Sequence, residues 1–214
     1  MQSSASFLAS TRSAVAKLLE GIDDYRQAFR RGIKGSAFVS GGSSMDDYNA
    51  RHRQWLQDNP EIVERSIGAQ KEFHSERFAR ATLCGAVLEL AWKGIELFST
   101  NTQPPESVRT VVGKSEVGAK FAIGREIKGV PIGLVIYAAR NQHVHFNDSS
   151  LGRINRDIID QMARHGHPQV KSSELDLDRH PGESLANNMI FLLEWFDLAR
   201  YERDMDALLS PFDV

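Results

Sequence analysis

Apolar side chains recur along the chain at steps of three, four and seven residues, which is the spacing of one helix face. Residues 5–31 carry such a stripe, with Val15 and Leu19 near its centre. We therefore predict a first helix over these residues. Residues 32–44 are rich in Gly and Ser and predict a loop.

A short second helix is predicted after this loop. Ser44 lies three residues before Asp47 and suits the N-cap of a helix that extends to about Gln57. Asn59 precedes Pro60, and a residue before proline avoids helical geometry. The second helix should therefore end near Asn59.

The middle of the chain predicts the central helix of the protein. Residues 61–99 contain no proline, so they predict one long helix or two helices with a break near His74. Their second half, residues 83–98 (LCGAVLELAWKGIELF), is the most apolar stretch of the chain and is typical of a buried helix.

The last hundred residues predict further helices. No stretch alternates apolar and polar residues convincingly, so the predicted fold class is all-α. The predicted elements are a broken helix over 108–130, a helix over 131–146 with Pro131 at its start, a helix over 152–165, a loop over 166–182 and a final helix over 184–209.

Charge is balanced overall but uneven along the chain. Hydrophobic residues make up 41% and the formal net charge is −2, which gives no general reason to expect a nucleic-acid or membrane binder. Residues 107–156 contain eight Lys or Arg against three acids, whereas residues 172–214 contain three Arg against ten acids. The first region could face a phosphate backbone, although helical proteins also carry uneven charge without function.

The acidic C-terminal helix has two interpretations. Its carboxylates could pair with the basic region of the same chain or of another chain, or they could form a solvated face. The residues concerned are Glu194, Asp197, Asp204 and Asp206.

Cys84 is the only cysteine and lies in an apolar helical stretch, so we expect an unreactive core thiol. The N-terminal residues lack the basic start and long apolar run of a secretory signal. No run of residues approaches the length that spans a membrane. We therefore expect a cytoplasmic protein without membrane partners.

The sequence lacks the motifs of several kinds of catalytic or metal-binding site. The sequence has no HExxH or paired CxxC motif, no Walker-type phosphate loop and no GxSxG. His143 and His145 would point about 200° apart on a helix and could not chelate one metal there. His165 and His167 lie at a predicted helix end and could bend to do so. We expect neither a metal nor a cofactor.

The polar segment 140–145 ends an otherwise apolar helix and is the best candidate for a site. Asn141 and His145 are four residues apart, so a helix places them on one face, and the long side chain of Arg140 can reach the same edge. A histidine can move a proton to or from an RNA hydroxyl, and an arginine can stabilise a phosphate. The same residues would also suit a solvated helix end at which His145 caps carbonyl groups.

The string Arg140-Asn141-x-x-x-His145, at the end of GLVIYAARNQHVHF and after the apolar helix LCGAVLELAWKGIELF, resembles the HEPN superfamily. The likeness covers residues 75–147. HEPN proteins are small helical bundles, and many are metal-independent endoribonucleases of toxin–antitoxin, phage-defence or RNA-processing systems. They usually form dimers in which two copies of the motif make one composite site. Other members have lost catalysis and act as interaction modules.

This resemblance implies that Arg140 and His145 are catalytic and that Asn141 supports them. It also implies an RNA substrate, a homodimer and, for a toxin, an antitoxin protein as partner. We expect an N-terminal helical region (1–60) packed on a HEPN-like core (61–214), together one structural unit. The alternative is a non-catalytic helical interaction module. The residues that we expect to bind substrate are Arg125, Lys128, His143 and Arg153.

Overall fold

The computed structural model describes residues 3–35, 37–39, 41, 44–148 and 151–210. The protein is 69% helical, and the described residues form ten α-helices and one two-stranded hairpin, so the predicted all-α class is confirmed. None of the helices in the described part combines the length and apolar character that a membrane span requires. The helices are α1 (Ser4–Gly32), α2 (Met45–Asp58), α3 (Pro60–Ser75), α4 (Arg77–Phe98), α5 (Arg109–Val112), α6 (Glu116–Phe121), α7 (Ile132–Val144), α8 (Arg153–Ala163), α9 (Ala186–Leu192) and α10 (Leu198–Leu209).

The chain divides into two compact units, one formed by the described parts of Met1–Gly21 and Arg80–Val214 and the other by Ile22–Ala79. This division differs from the predicted boundary after residue 60, because its border at Gly21 falls inside α1. In the smaller unit, the rings of Phe29 and Phe73 stack with 4.4 Å between their centroids.

The predicted signals at the ends of α2 and α3 are confirmed. The Ser44 hydroxyl caps α2 by accepting a hydrogen bond of 3.2 Å from the Asp47 amide. α2 ends before Asn59, and Pro60 begins α3. α3 and α4 are separate helices that meet at Glu76, close to the break predicted near His74. The predicted loop over 32–44 lies partly outside the described residues.

The core of the larger unit is built on α4 and α7. Both helices bury most of their length, and α7 is buried from Ile132 to Ala139 except at Tyr137, which is half-buried. The His143 ring of α7 fills the space beside Gly85 of α4, where an added Cβ would lie only 2.0 Å from Nε2 of His143. A larger residue at position 85 would therefore require this ring to move.

Residues 108–130 contain a hairpin that the predicted broken helix missed. After α5 and α6, strands β1 (Glu126–Ile127) and β2 (Val130–Pro131) pair antiparallel. Lys128 and Gly129 form the turn with φ of 49° and 74°, and such two-residue turns require positive φ at both positions. Strands of two residues are too short to show alternation.

The segment from Ile123 to Pro131, which contains the hairpin and is called the hairpin connector below, also caps the start of α7. The Ile132 amide donates to the Arg125 carbonyl at 2.8 Å, and the Gly133 amide donates to the Ile123 carbonyl at 3.1 Å. The first amides of a helix have no partner inside the helix. The connector supplies these partners and allows the start of α7 to be buried.

The predicted single helix over 184–209 is wrong. α9 ends at Leu192, Glu194 adopts φ of 59°, and α10 begins after the N-cap Asp197, whose side chain accepts from the Arg200 amide at 2.9 Å. The turn places the fully buried Trp195 in the core. No Gly or Pro lies in this turn. The apolar residues therefore keep helical spacing across it, and the sequence pattern did not indicate the break.

Asp204 joins this turn to the hairpin connector. Its carboxylate accepts from Arg125 Nε at 2.8 Å and Nη2 at 2.9 Å, and from Trp195 Nε1 at 2.8 Å. The bond to Asp204 raises the pKa of Arg125. The acidic C-terminal helix thus pairs with the basic region of the same chain, whereas Glu194 and Asp197 lie on an exposed face.

We predict that Asp204→Ala lowers the free energy of unfolding by about 2 kcal/mol, because it leaves the buried Trp195 N–H without its acceptor and Arg125 without its counter-ion. Urea denaturation followed by circular dichroism measures this loss. Asp206→Ala, an exposed acid on the same helix, is the matched control and should change the value by less than about 0.5 kcal/mol. Equal effects of both substitutions would contradict the prediction.

Candidate functional site

The residues of the Arg-Asn-x-x-x-His string lie together at the C-terminal end of α7. Arg140 and Asn141 lie in the last turns of the helix. His145 is the C-cap residue, and its amide donates to the Asn141 carbonyl at 3.0 Å. Because the preceding part of α7 is buried in the core, its polar end is the part that reaches the surface.

Arg140 is held against α4. Its Nε donates to Glu89 Oε2 at 2.6 Å, and the guanidinium lies over the ring of Trp92, with 4.5 Å between Cζ and the ring centroid. The side chain is only 22% exposed. The arginine charge is thus balanced by Glu89 and oriented by Trp92.

Asn141 links Arg140 to α8. Arg140 Nη1 donates to Asn141 Oδ1 at 3.1 Å, and Asn141 Nδ2 donates to the Oδ1 of the buried Asn155 at 3.3 Å. Both functional groups of the Asn141 amide are therefore engaged. The asparagine joins the motif to α8, and its amide does not bond to the His145 ring.

Asp148 orients the His145 ring. His145 Nδ1 lies 2.7 Å from Asp148 Oδ2, and the two side chains are 49% and 58% exposed. A carboxylate only accepts hydrogen bonds, so Nδ1 carries a proton, and Nε2 forms no hydrogen bond within the described residues. This pairing suits a general base. The His-x-x-Asp spacing in the sequence is the signal that could have indicated it.

His143 is a half-buried residue between α4 and the segment before α9. Its Nδ1 lies 2.7 Å from Ser184 Oγ, and its Nε2 lies against Gly85. Burial lowers the pKa of His143, Arg140 lowers it further and Glu89 opposes them. Both ring nitrogens thus lie against protein atoms.

Two of the cations that we expected to bind substrate, Arg125 and Lys128, lie apart from the motif within one chain. Arg125 and Lys128 are in the connector at the start of α7, and a helix of 13 residues separates this end from His145 by about 20 Å. Arg153 is on α8 and pairs with Asp157 at 3.1 Å.

A cavity of about 250 Å³ opens beside His145. Gln142, buried in its wall, donates to the Glu183 carbonyl at 2.7 Å and accepts from the Leu185 amide at 2.7 Å, which fixes the segment before α9 against α7. The lining residues are Gln142, His145, Phe146, Asp148, Leu151, Arg156, Leu177, His180, Pro181 and Gly182.

Sequence reasoning did not single out Arg156 or His180 as site residues. His180 lies about 35 residues along the chain from His145, and no local spacing connects them. Its Nδ1 lies 3.1 Å from Glu183 Oε2 and its Nε2 donates to the Ser173 carbonyl at 2.9 Å. Only the packing of the 177–182 segment on α7 brings these residues together.

Comparisons of the chain with protein-family models, with curated proteins and with solved structures found no match. The resemblance to HEPN proteins therefore depends on the motif and its two apolar helices alone. Among the residues that the structure describes, no three His, Cys, Asp or Glu side chains are grouped to hold a metal ion.

The lowered pKa of His143 predicts a pH-dependent stability. The unfolded chain protonates this histidine near its ordinary pKa of 6.5, whereas the folded protein resists protonation. Stability is therefore complete above about pH 6.5 and is lost as the pH falls towards the lower folded-state pKa. Urea unfolding between pH 7.5 and pH 5 should show a steeper loss for the wild type than for His143→Asn. The same slope in both proteins would refute this assignment.

Proposed function

We propose that the protein is a metal-independent endoribonuclease of HEPN type, in which His145 is the acid/base and Arg140 stabilises the phosphate. The observation that supports this most directly is the bond of 2.7 Å between His145 Nδ1 and Asp148. It leaves Nε2 without a hydrogen bond within the described residues, on a half-exposed ring that lines a cavity. An oriented imidazole of this kind is what proton transfer requires.

In the proposed reaction, His145 Nε2 takes the proton of a ribose 2′-hydroxyl. The 2′-oxygen then bonds to the adjacent phosphorus, and the bond from phosphorus to the 5′-oxygen breaks. The leaving 5′-oxygen gains a proton, and the products carry a 2′,3′-cyclic phosphate and a 5′-hydroxyl. The guanidinium of Arg140 would stabilise the charge that develops on the phosphate oxygens.

A second copy of the chain would complete the site. The resemblance implies a homodimer, in which one His145 accepts the proton and the other donates it to the leaving oxygen. Arg125, Lys128 or Arg153 of the facing chain would then edge the cleft, although Arg125 and Lys128 lie apart from the motif in one chain. An antitoxin as partner and a role as toxin or defence effector belong to the same proposal.

We predict that the wild type cleaves a mixed RNA substrate in EDTA and leaves cyclic-phosphate ends. His145→Ala and Arg140→Ala should each reduce the rate by at least about 100-fold, because they remove the proton-transfer group and the phosphate cation. Asp148→Asn should lower the rate less, because the ring remains but its tautomer is no longer fixed. Electrophoresis and end-group analysis measure these rates.

The control is His167→Ala, which removes an exposed histidine outside the site and should cleave as the wild type does. A folded wild type that is inert on all RNA substrates would remove the ribonuclease proposal. Cleavage that EDTA abolishes would remove its metal-independent part.

The second candidate function is a non-catalytic helical interaction module. The observation that favours it is the engagement of Arg140 by Glu89 and Trp92. An arginine that is ion-paired and stacked can hold two helices together without any chemistry.

Glu89→Gln separates the two candidates. If Arg140 acts on RNA, removing its counter-charge should tighten RNA binding several-fold, whereas Arg140→Gln should weaken it. Both changes are made in a His145→Ala background to prevent cleavage, and fluorescence anisotropy measures binding. If both variants lose stability equally and neither alters binding, the interaction module is the better description.

A further inference from the structure

Among the described residues that line the cavity beside His145, Arg156 is the one cation whose charge is not already engaged. Within the described residues, its side chain forms no ion pair or hydrogen bond. Other arginines of the region are occupied: Arg140 by Glu89, Arg153 by Asp157 and Arg164 by the Pro168 carbonyl. Five guanidinium N–H donors thus remain free at this position.

Apart from His145 Nε2, the other polar side chains among the described lining residues are already paired. His180 uses both ring nitrogens, on Glu183 and on the Ser173 carbonyl. Asp148, the carboxylate among the described lining residues, is bonded to His145. Among the described lining residues, two polar side-chain groups therefore remain open to a ligand, the guanidinium of Arg156 and Nε2 of His145. The first suits an anion and the second suits a hydroxyl or a leaving oxygen.

The shape and polarity of the cavity indicate the kind of anion. Its volume of about 250 Å³ lies just below the roughly 300–1,000 Å³ of sites for drug-sized ligands. Phe146, Leu177 and Pro181 add apolar surface to the lining. Leu151, which also lines the cavity, lies just before α8, so the positive end of this helix dipole is near. This combination suits a phosphate with an attached nucleoside.

We infer that Arg156 binds a phosphate of a single RNA strand in this cavity and so positions the ribose beside His145 Nε2. The inference rests on the proposed function, because RNA is the ligand. Arg156 differs from Arg153, which lies one turn earlier on the same helix, outside the lining and paired with Asp157. Arg156 is therefore the substrate-positioning cation of α8.

The test uses binding without cleavage. A fluorescein-labelled 2′-O-methyl RNA oligonucleotide has no 2′-hydroxyl to attack, so anisotropy measures affinity alone. Arg156→Gln should weaken binding about 10-fold, as loss of one charge-assisted contact does. The slope of log affinity against log salt should fall by about 0.7, the value for one phosphate contact on a single strand. Arg156→Lys should restore part of the affinity.

Arg164→Gln is the matched control, since Arg164 follows the same helix but does not line the cavity; binding should stay within about twofold of wild type. In wild type, the oligonucleotide should also shift the imidazole NMR signals of His145, and in Arg156→Gln this shift should need about 10-fold more RNA. Circular dichroism verifies that each variant is folded.

Three results would overturn the inference: no binding by the wild type, wild-type affinity in Arg156→Gln, or an equal loss in Arg164→Gln. Its failure is distinguishable from failure of the proposed function. If the wild type cleaves RNA but its binding does not depend on Arg156, the inference fails and the ribonuclease proposal stands. If binding depends on Arg156 but ordinary RNA is not cleaved, the ribonuclease proposal fails and the phosphate site stands.

Discussion

The burial of α7 is the constraint on which the candidate site depends. From Ile132 to Ala139 the helix is almost wholly buried, so its first amides need partners inside the protein. The hairpin connector supplies them through the carbonyls of Ile123 and Arg125. This end is enclosed, and the polar residues of the last turn of α7 emerge at the opposite end, where the His143 ring lies against Gly85 of α4. The candidate site thus lies where α7 leaves the core.

At the C-terminal end of α7, the polar side chains contact other parts of the protein and are also the groups that a ligand would contact. Arg140 is oriented by Trp92 and neutralised by Glu89, which stabilises the packing of α7 on α4 but reduces the charge available to a ligand. His145 is oriented by an exposed carboxylate and keeps Nε2 open. A site that acts on RNA would therefore need the phosphate to compete with Glu89 for the guanidinium, since both are anions that suit its fork of donors.

Local chemistry explains what could be predicted from sequence. The all-α class, the Ser44 cap and the break near Glu76 depend on periodicity and on neighbouring residues, which the sequence displays directly. The turn around Trp195 and the cavity lined by His180 depend on contacts between distant segments. A buried tryptophan bonded to Asp204 overrides helix spacing there, and no pattern within α10 indicates it. The role of Asp148 could be predicted only in part, because the sequence shows its spacing from His145 but not the orientation of its side chain.

The charge of the basic region illustrates why composition alone is a poor guide to a phosphate site. Residues 107–156 contain eight Lys or Arg against three acids, which suggests a broad basic surface. Four of these arginines form ion pairs within the chain: Arg109 with Glu106, Arg125 with Asp204, Arg140 with Glu89 and Arg153 with Asp157. Paired cations contribute little field at a distance. Among the described residues that line the cavity beside His145, the guanidinium of Arg156 is the unpaired cation, so affinity for a phosphate there would come from one donor group and its cavity.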